Sequence, residues 1–167
     1  MSPRHVCFVC EWNEGRSPHL ELSLRLKLRQ GGSDIELTSA GLSRGGGISS
    51  SRREHLERLG VSPEEIDAHR SVIFGRGHAR ADLILVAELP MKHRLLVDWP
   101  ELEGKVMTMR GFVERGTPDE DDLSATASHV EDSGIHPQHE KQAIYEEHEE
   151  LARQVACRLL DPTHSSR

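Results

Sequence analysis

Long apolar runs are missing from this chain of 167 residues. A helix that spans a membrane needs about 20 consecutive apolar residues, and no stretch approaches that length. The first residues, Met1 to Arg4, lead directly into a strand-like pattern without the apolar core of a secretion signal. We therefore expect a cytoplasmic protein without a membrane partner.

Cysteine is scarce, with only Cys7, Cys10 and Cys157 in the whole chain. An odd and sparse set is unlike the disulfide framework of a small secreted domain. A reducing compartment would keep Cys10 active. We expect Cys7 and Cys157 to be inert buried side chains.

Basic residues are fewer than acidic ones, and the formal net charge is −7. A chain of this sign is a poor match for the phosphate backbone of a nucleic acid, so no nucleic-acid partner is expected. The acidic residues favour a neutral or basic partner instead.

What the sequence does contain is a thiol at the end of a strand. A short apolar strand ends at Cys10, the chain crosses five residues to Arg16, and a helix opens at Ser17-Pro18. A loop between a strand and a helix start gathers backbone N–H groups that bind an oxyanion. Arg16 adds a planar guanidinium for two oxygens of that anion, and positive surroundings favour the thiolate. Phosphate held over a thiolate predicts a phosphatase.

A longer pattern resembles the signature of the low-molecular-weight protein tyrosine phosphatases, namely Phe8-Val9-Cys10-x-x-Asn13-x-x-Arg16-Ser17-Pro18-x-x-Glu21. That family also contains arsenate reductases and phosphoarginine phosphatases. Three further segments follow in the family's order: Thr38-Ser39-Ala40-Gly41, Ala68-His69-Arg70-Ser71 and Ala81-Asp82-Leu83-Ile84-Leu85-Val86. The similarity covers most of the chain and is therefore more specific than a lone Cys-x5-Arg.

Alternating strand and helix patterns predict an α/β fold with one domain over residues 1–161. The domain is expected to hold a four-stranded parallel, doubly wound sheet flanked by helices. The predicted strands are 4–10, 34–40, 82–86 and 105–109, and the predicted helices include 17–30, 49–59 and 140–160. Such sheets bind ligands at strand carboxyl ends near a switch point, where Cys10 falls. Residues 162–167 are predicted to be a disordered tail.

Two segments are predicted as loops. Residues 41–51 hold three consecutive glycines and several serines, and they either border the active site or form a plain connector. Residues 114–138 are rich in Asp, Glu, Ser and His and have little apolar periodicity. They are therefore predicted to form a long surface loop.

The resemblance implies roles for the residues of the first loop. Cys10 is the nucleophile, which forms a cysteinyl-phosphate that water then hydrolyses. Arg16 and the backbone N–H groups bind the phosphoryl oxygens. Ser17 hydrogen-bonds the thiolate and also suits a helix N-cap, while Asn13 holds the loop in shape. The predicted phosphate-binding residues are Glu11, Trp12, Asn13, Glu14, Gly15, Arg16 and Ser17. The mechanism requires no metal and no other cofactor.

The general acid departs from the family, in which an Asp-Pro pair on a late loop supplies the proton. Counted back from the last helix, the matching pair is His136-Pro137, since Tyr145 follows nine residues after the histidine. Three alternatives remain: His136 is the acid, Asp132 or another carboxylate of the loop takes the role, or the protein lacks a proton donor. An imidazolium can donate a proton near neutral pH, and His136 is therefore our predicted catalytic acid.

The rim of the pocket differs from the family as well. Gln138 and His139 stand where many members have tyrosines, which weakens the aromatic wall. Trp12 offers either a replacement stacking surface or a hydrophobic cover over the loop. Glu14 occupies the position at which the family's residue helps to determine whether phosphotyrosine or phosphoarginine is the preferred substrate. It either faces a cation, which includes a substrate guanidinium, or points to water.

Other thiol and metal chemistries are disfavoured. Gly15 replaces a frequent second cysteine of the loop, and Cys7 faces the opposite side of the strand from Cys10. Residues 80–115 contain no cysteine, which argues against a thioredoxin-coupled arsenate reductase. Four histidines invite a metal hypothesis but are more often solvated in such a segment: His129, His136, His139 and His148.

The sequence therefore predicts a phosphatase that acts on phosphate monoesters and releases inorganic phosphate. Its expected partner is a phosphotyrosine-containing protein or a small aryl phosphate. Two alternatives stay open. Glu14 motivates a phosphoarginine phosphatase, and His136 in place of the aspartate motivates a phospho-binding protein that has lost turnover.

Overall fold

A computed structural model describes residues 2–116 and 124–161. Within these residues the strands are β1 (His5–Cys10), β2 (Glu36–Gly41), β3 (Leu83–Val86) and β4 (Val106–Thr108). The helices are α1 (Arg16–Gln30), α2 (Ser50–Leu59), α3 (Pro63–Ala68), α4 (Arg76–Ala79), α5 (Leu89–Asp98), α6 (Met109–Glu114), α7 (Ala125–Ser128) and α8 (Gln138–Leu160). Short 3-10 turns cover Pro100–Leu102 and Ser133–Ile135. None of the described helices is long and apolar enough to cross a membrane.

The strands form one parallel sheet in the order β2-β1-β3-β4. The chain moves from β1 to β2 in one direction and from β3 to β4 in the other, so right-handed crossovers place α1 and α5 on opposite faces. Cys10 ends β1 at the point where the strand order reverses, which is where parallel sheets bind ligands. The predicted α/β fold with four parallel strands is confirmed, and the predicted strand ends differ from the observed ones by at most two residues.

The leucine spacing of α1, which alone would also fit a strand, follows from burial on two sides of the helix. Leu20, Leu24 and Leu28 belong to the main core, which packs against the sheet and α8. Leu22 and Leu26 instead pack in a second cluster with Leu56, Val61 and Ile66 of the α2 and α3 region. Because two neighbours cover the helix, apolar residues recur at every second position and the usual helical period is obscured.

The described part of the predicted surface loop is mostly exposed or half-buried, but it is more ordered than expected. Residues 124–138 contain α7 and the turn Ser133–Ile135, and Val130 and Ser133 are buried. Val130 donates its N–H to the carbonyl of Ala87 just after β3, so the segment is packed on the edge of the sheet. A single valine among polar residues produces no periodicity, which is why the pattern missed it. Residues 117–123 and the predicted tail lie outside the described residues.

The last helix agrees with its predicted apolar face, because Ile144, Leu151, Val155 and Leu159 are all buried. Cys157 lies on the same helix and is exposed, which corrects the prediction that it is buried. It sits two residues from both Val155 and Leu159, so the helical period turns it outward.

Cys7 is buried in β1, as predicted. Desolvation raises the pKa of its thiol to about 12, which leaves it protonated and unreactive at neutral pH.

Candidate active site

The thiol of Cys10 meets the first turn of α1. Its Sγ lies 3.1 Å from Oγ of Ser17. The Ser17 hydroxyl accepts a hydrogen bond from Nδ2 of Asn13 at 2.9 Å, which leaves its proton to donate either to the Cys10 sulfur or to the carbonyl of Ala40, which lies 3.4 Å away. Such a donor stabilises negative charge on sulfur. Ser17 is not the helix N-cap, since Gly15 takes that place.

Asn13 holds the loop in shape from its centre. It is fully buried and has a φ of 52°, in the left-handed region that asparagine tolerates. Its side chain also donates to Ser39 at 2.8 Å and accepts from the N–H of Val72 at 3.2 Å. Its carbonyl accepts hydrogen bonds from Nε2 of His69 at 3.0 Å and from Oγ of Ser71 at 2.8 Å. The segments around Ser39 and His69, which the sequence pattern singled out, therefore support the loop directly.

The glycine-rich segment between β2 and α2 packs on the same loop. The N–H of Ser43 donates to the carbonyl of Glu11 at 2.8 Å. A methyl group at Gly45 would overlap the carbonyl oxygen of Trp12, so only glycine allows this approach. Of the two interpretations, a border of the site and a plain connector, these contacts favour the first.

Arg16 opens α1, and its guanidinium is only 4% exposed. Nη1 pairs with the carboxylate of Glu88 and donates to the carbonyl of Val130 at 3.1 Å. Nη2 lies 3.5 Å from Oδ2 of Asp132. Glu88 is the N-cap residue of α5, so it reaches Arg16 from the neighbouring strand. Sequence reasoning missed Glu88, although a carboxylate directly after an apolar parallel strand is a usable signal.

A family model for low molecular weight phosphotyrosine protein phosphatases matches residues 5–165. The chain belongs to this family. It is therefore a cysteine-dependent phosphatase, and the predicted family and enzyme class are confirmed.

Solved phosphatase structures share the fold. The YwlE arginine phosphatase from Geobacillus stearothermophilus superposes with a TM-score of 0.78 at 26% identity, covering 99% of this chain and 98% of that one. A low molecular weight protein tyrosine phosphatase from T. tengcongensis has a TM-score of 0.74 at 29% identity, with 90% and 96% covered. The tyrosine phosphatase Wzb from Escherichia coli K30, in complex with sulphate, has 0.72 at 23%, with 93% and 97% covered. No curated protein sequence gives a significant match.

The two candidates for the phosphatase's proton donor have different surroundings. Asp132 faces Arg16, whereas both ring nitrogens of His136 are held by carboxylates. Its Nε2 lies 2.8 Å from Glu131 and its Nδ1 2.7 Å from Glu140, and these hydrogen bonds raise the pKa of His136. The contacts argue against the predicted role of His136 and favour Asp132, the alternative left open. Counting back from α8 to a proline leads to His136-Pro137 and passes over Asp132, because Asp132 is followed by a serine.

Three predicted side chains of the phosphate loop bind protein groups or face solvent. The carboxylate of Glu11 accepts from Arg94 at 2.6 Å and from Ser43 at 2.8 Å; burial opposes ionisation, but these bonds lower the pKa of Glu11. Trp12 is 47% exposed, which favours a stacking surface over a cover. Glu14 is partly exposed, and its carboxylate accepts the N–H of Gly46. These residues can offer an anion their backbone N–H groups.

A buried polar cluster that the sequence analysis missed adjoins the loop. Arg52 of α2 is 1% exposed, and its Nη1 donates to Nδ1 of His19 at 2.9 Å and to Nδ1 of His148 at 3.0 Å. Its Nη2 donates to Oγ of Ser133 at 2.8 Å, and its Cζ lies 4.3 Å from the ring centre of Tyr145. Only the tertiary fold brings these five residues, here called the Arg52 cluster, together.

Hydrogen bonding sets the protonation of this cluster. Because a guanidinium only donates, both imidazoles must present an unprotonated Nδ1. Burial lowers the pKa of His19 to about 4 and that of His148 well below its usual value. Their Nε2 atoms donate to Glu149 at 3.2 Å and to the carbonyl of Glu131 at 2.8 Å, respectively. Burial also lowers the pKa of Arg52, to about 10, which still leaves it charged at neutral pH.

No group of three or more metal-ligating side chains occurs in residues 2–116 and 124–161. The histidines considered for a metal have other contacts. His129 and His136 both pair with Glu131, and His148 belongs to the Arg52 cluster. His139 is 80% exposed.

Proposed function

We propose that the chain hydrolyses phosphate monoesters through a cysteinyl-phosphate on Cys10. Its substrate is a phosphotyrosine-containing protein or a small aryl phosphate, and its product is inorganic phosphate. The proposal is carried by one observation: the Cys10 sulfur contacts the Ser17 hydroxyl at 3.1 Å in the same turn where Arg16 faces Asp132. A nucleophile, a cation for the phosphoryl oxygens and a proton donor are thereby available at one edge of the sheet.

Two displacements at phosphorus make up the reaction. The thiolate of Cys10 attacks in line, the bond from phosphorus to the leaving oxygen breaks, and a general acid gives that oxygen its proton. Arg16 and the N–H groups of residues 11–17 bind the equatorial oxygens. The general acid, now deprotonated, acts as the base that takes a proton from water, and this water attacks the cysteinyl-phosphate. The bond from sulfur to phosphorus breaks, Ser17 stabilises the departing thiolate, and no cofactor or metal enters either step.

We assign the proton transfer to Asp132. The family's Asp-Pro pair then corresponds to Asp132-Ser133, in which the acid is retained and the proline is changed. Its 3.5 Å approach to Arg16 supports this role, because an acid that serves the leaving oxygen has to lie beside the group that binds the phosphoryl oxygens.

Phosphoarginine is the second candidate substrate. Glu14 offers a carboxylate at the rim, and the Geobacillus YwlE arginine phosphatase aligns with 99% of this chain. A substrate guanidinium would compete with the N–H of Gly46 for that carboxylate. Competition between phosphoarginine and phosphotyrosine peptides separates the two, and Glu14→Gln should weaken only a preference for phosphoarginine.

The cytoplasm suits the chemistry, because a reducing compartment keeps a nucleophilic thiol free. The net charge of −7 favours a neutral or basic phosphoprotein over a nucleic acid as partner.

Hydrolysis of p-nitrophenyl phosphate in the presence of a chelator tests the proposal. Cys10→Ser should abolish turnover, while Cys157→Ser, on the exposed side of α8, should retain it. Full turnover by Cys10→Ser would refute the nucleophile. Phosphate binding by the wild-type chain without any turnover would identify a phospho-binding protein instead.

A further inference from the structure

We propose that Arg52 is a positioning residue of this site, which fixes the loop of Asp132 relative to the phosphate loop. The inference rests on the proposed function. Arg52 belongs to α2 and therefore to neither loop, yet its guanidinium donates to Ser133 beside Asp132 and occupies the space next to Gly15 of the phosphate loop.

The loop that carries Asp132 is held in place at the residues on both sides of it, Glu131 and Ser133. The residue after it, Ser133, accepts a hydrogen bond from Nη2 of Arg52 at 2.8 Å. The residue before it, Glu131, has its carbonyl bound at 2.8 Å by His148, whose other ring nitrogen is bound by Arg52. The backbone that carries the proposed acid is therefore tied to one buried guanidinium at two points.

The phosphate loop, residues 11–17, leaves space for the guanidinium of Arg52. A methyl group at Gly15 would lie 3.2 Å from Nη2 and 3.7 Å from Nε of Arg52. Any larger side chain at this position would push against the guanidinium. Glycine in place of the family's frequent cysteine thus leaves room for the guanidinium of Arg52 beside the phosphate loop.

The charge of Arg52 has no carboxylate partner in the described parts of the chain. Its hydrogen bonds go to two neutral imidazoles and one hydroxyl. Burying a cation without a counter-ion costs free energy, so the presence of Arg52 at this position requires an explanation. Tyr145, Cys10 and Asp132 are the ionisable groups whose fields favour its charge. Two of these three groups belong to the proposed reaction, which connects the cation to the active site.

Ser133 explains why an anchor is needed. The family has proline at the residue after the acid, and proline restricts the backbone. Serine relaxes that restriction, and the hydrogen bond to Arg52 replaces it. Asp132 has an extended backbone with φ −92° and ψ 112°, which is compatible with a following proline.

The test compares kcat/KM for phenyl phosphate, a poor leaving group, with that for p-nitrophenyl phosphate, a good one. Ser133→Ala and Arg52→Met should lower the value for phenyl phosphate about 10- to 100-fold and that for p-nitrophenyl phosphate much less, since displacing a catalytic group has effects of this size. The basic limb of the pH profile, which reports the acid, should weaken in both variants. Ser133→Thr, which keeps the hydroxyl, and Ser133→Pro, which restores a rigid backbone, should retain the wild-type ratio.

Arg53→Met is the matched control, because Arg53 neighbours Arg52 but pairs with Asp67 and Glu57 at the surface. Equal losses on both substrates, or no loss in Ser133→Ala, would overturn the role of Arg52. If Arg52→Met fails to fold, the contrast between Ser133→Ala and Ser133→Pro decides. A wild-type chain without Cys10-dependent turnover would contradict the proposed function and this inference with it. Wild-type turnover with unaffected variants would contradict this inference alone.

Discussion

Nη2 of Arg16 lies 3.5 Å from Oδ2 of Asp132, although 116 positions separate the two residues in the chain. Arg16 reaches this point from the first turn of α1, and Asp132 reaches it from the turn that precedes α8. A cation for phosphoryl oxygens beside an acid for the leaving oxygen defines two sides of one substrate position. Which residue gives the proton is therefore the first question for mutagenesis.

Asp132→Asn should lower kcat/KM for phenyl phosphate by about 10² to 10⁴-fold, because the leaving phenolate then departs without a proton. The loss for p-nitrophenyl phosphate should be smaller. His136→Gln should stay near wild type for both substrates, since the ring is bound to Glu131 and Glu140. Steady-state kinetics of the two variants decide between them, and the reverse pattern would return the role to His136.

One part of the site could be predicted from the local sequence pattern. Cys10, Asn13, Arg16 and Ser17 belong to one contiguous strand, loop and helix start, so their geometry could be predicted from spacing. Their supports at Ser39 and His69 lay in segments that the pattern also singled out.

The residues that sequence reasoning missed come from distant elements. Glu88 reaches Arg16 from the segment after the neighbouring strand β3, and Arg52 can be buried because His19 of α1 and His148 of α8 supply acceptors for it. Read alone, an arginine in the first turn of a polar helix is expected at the surface. The approach of Asp132 to Arg16 could not be predicted from the sequence either, because counting along a chain does not show which carboxylate of a turn the fold brings to the site.

Glu88→Gln tests whether this carboxylate prepares Arg16 for an oxyanion. The amide keeps the shape but loses the charge that holds the guanidinium, so the Ki for vanadate should rise about tenfold, which corresponds to about 1.4 kcal/mol. Glu65→Gln, which alters a surface pair with Arg29, is the control and should leave the Ki unchanged. An unchanged Ki in Glu88→Gln would show that Arg16 needs no such support.

Gly45→Ala tests the close approach of the glycine-rich segment to the phosphate loop. Its methyl group would overlap the carbonyl of Trp12, so the free energy of unfolding should fall by about 1 to 3 kcal/mol. Gly77→Ala in α4 is the control, because apart from its chain neighbours and the backbone of its own helix no atom lies within 4 Å of the new methyl group. That variant should be neutral or more stable by about 0.4 to 1 kcal/mol. Urea denaturation measures both, and equal stabilities would contradict the packing described here.

Acid should destabilise the fold through the Arg52 cluster. Burial lowers the pKa of His19 to about 4 from an ordinary 6.5, so between these values the unfolded chain binds a proton that the folded chain does not. The free energy of unfolding therefore falls as pH drops through this window, by about 3 kcal/mol for His19. Glu149 extends the loss below pH 4.5: burial opposes its ionisation, but hydrogen bonds from His19, Lys27 and Ser23 lower its pKa to about 2.

Urea denaturation between about pH 7 and about pH 4 measures this slope. His19→Gln keeps a hydrogen-bonding side chain but cannot titrate, so its stability should depend less on pH than that of the wild-type chain. His139→Gln, at an 80% exposed position, should keep the wild-type slope. The raised pKa of His136 acts in the opposite direction, because protonation favours its folded pairs with Glu131 and Glu140, but solvent screens these pairs because the ring is partly exposed. A wild-type stability that stays constant or rises toward pH 4 would contradict neutral, buried histidines around Arg52.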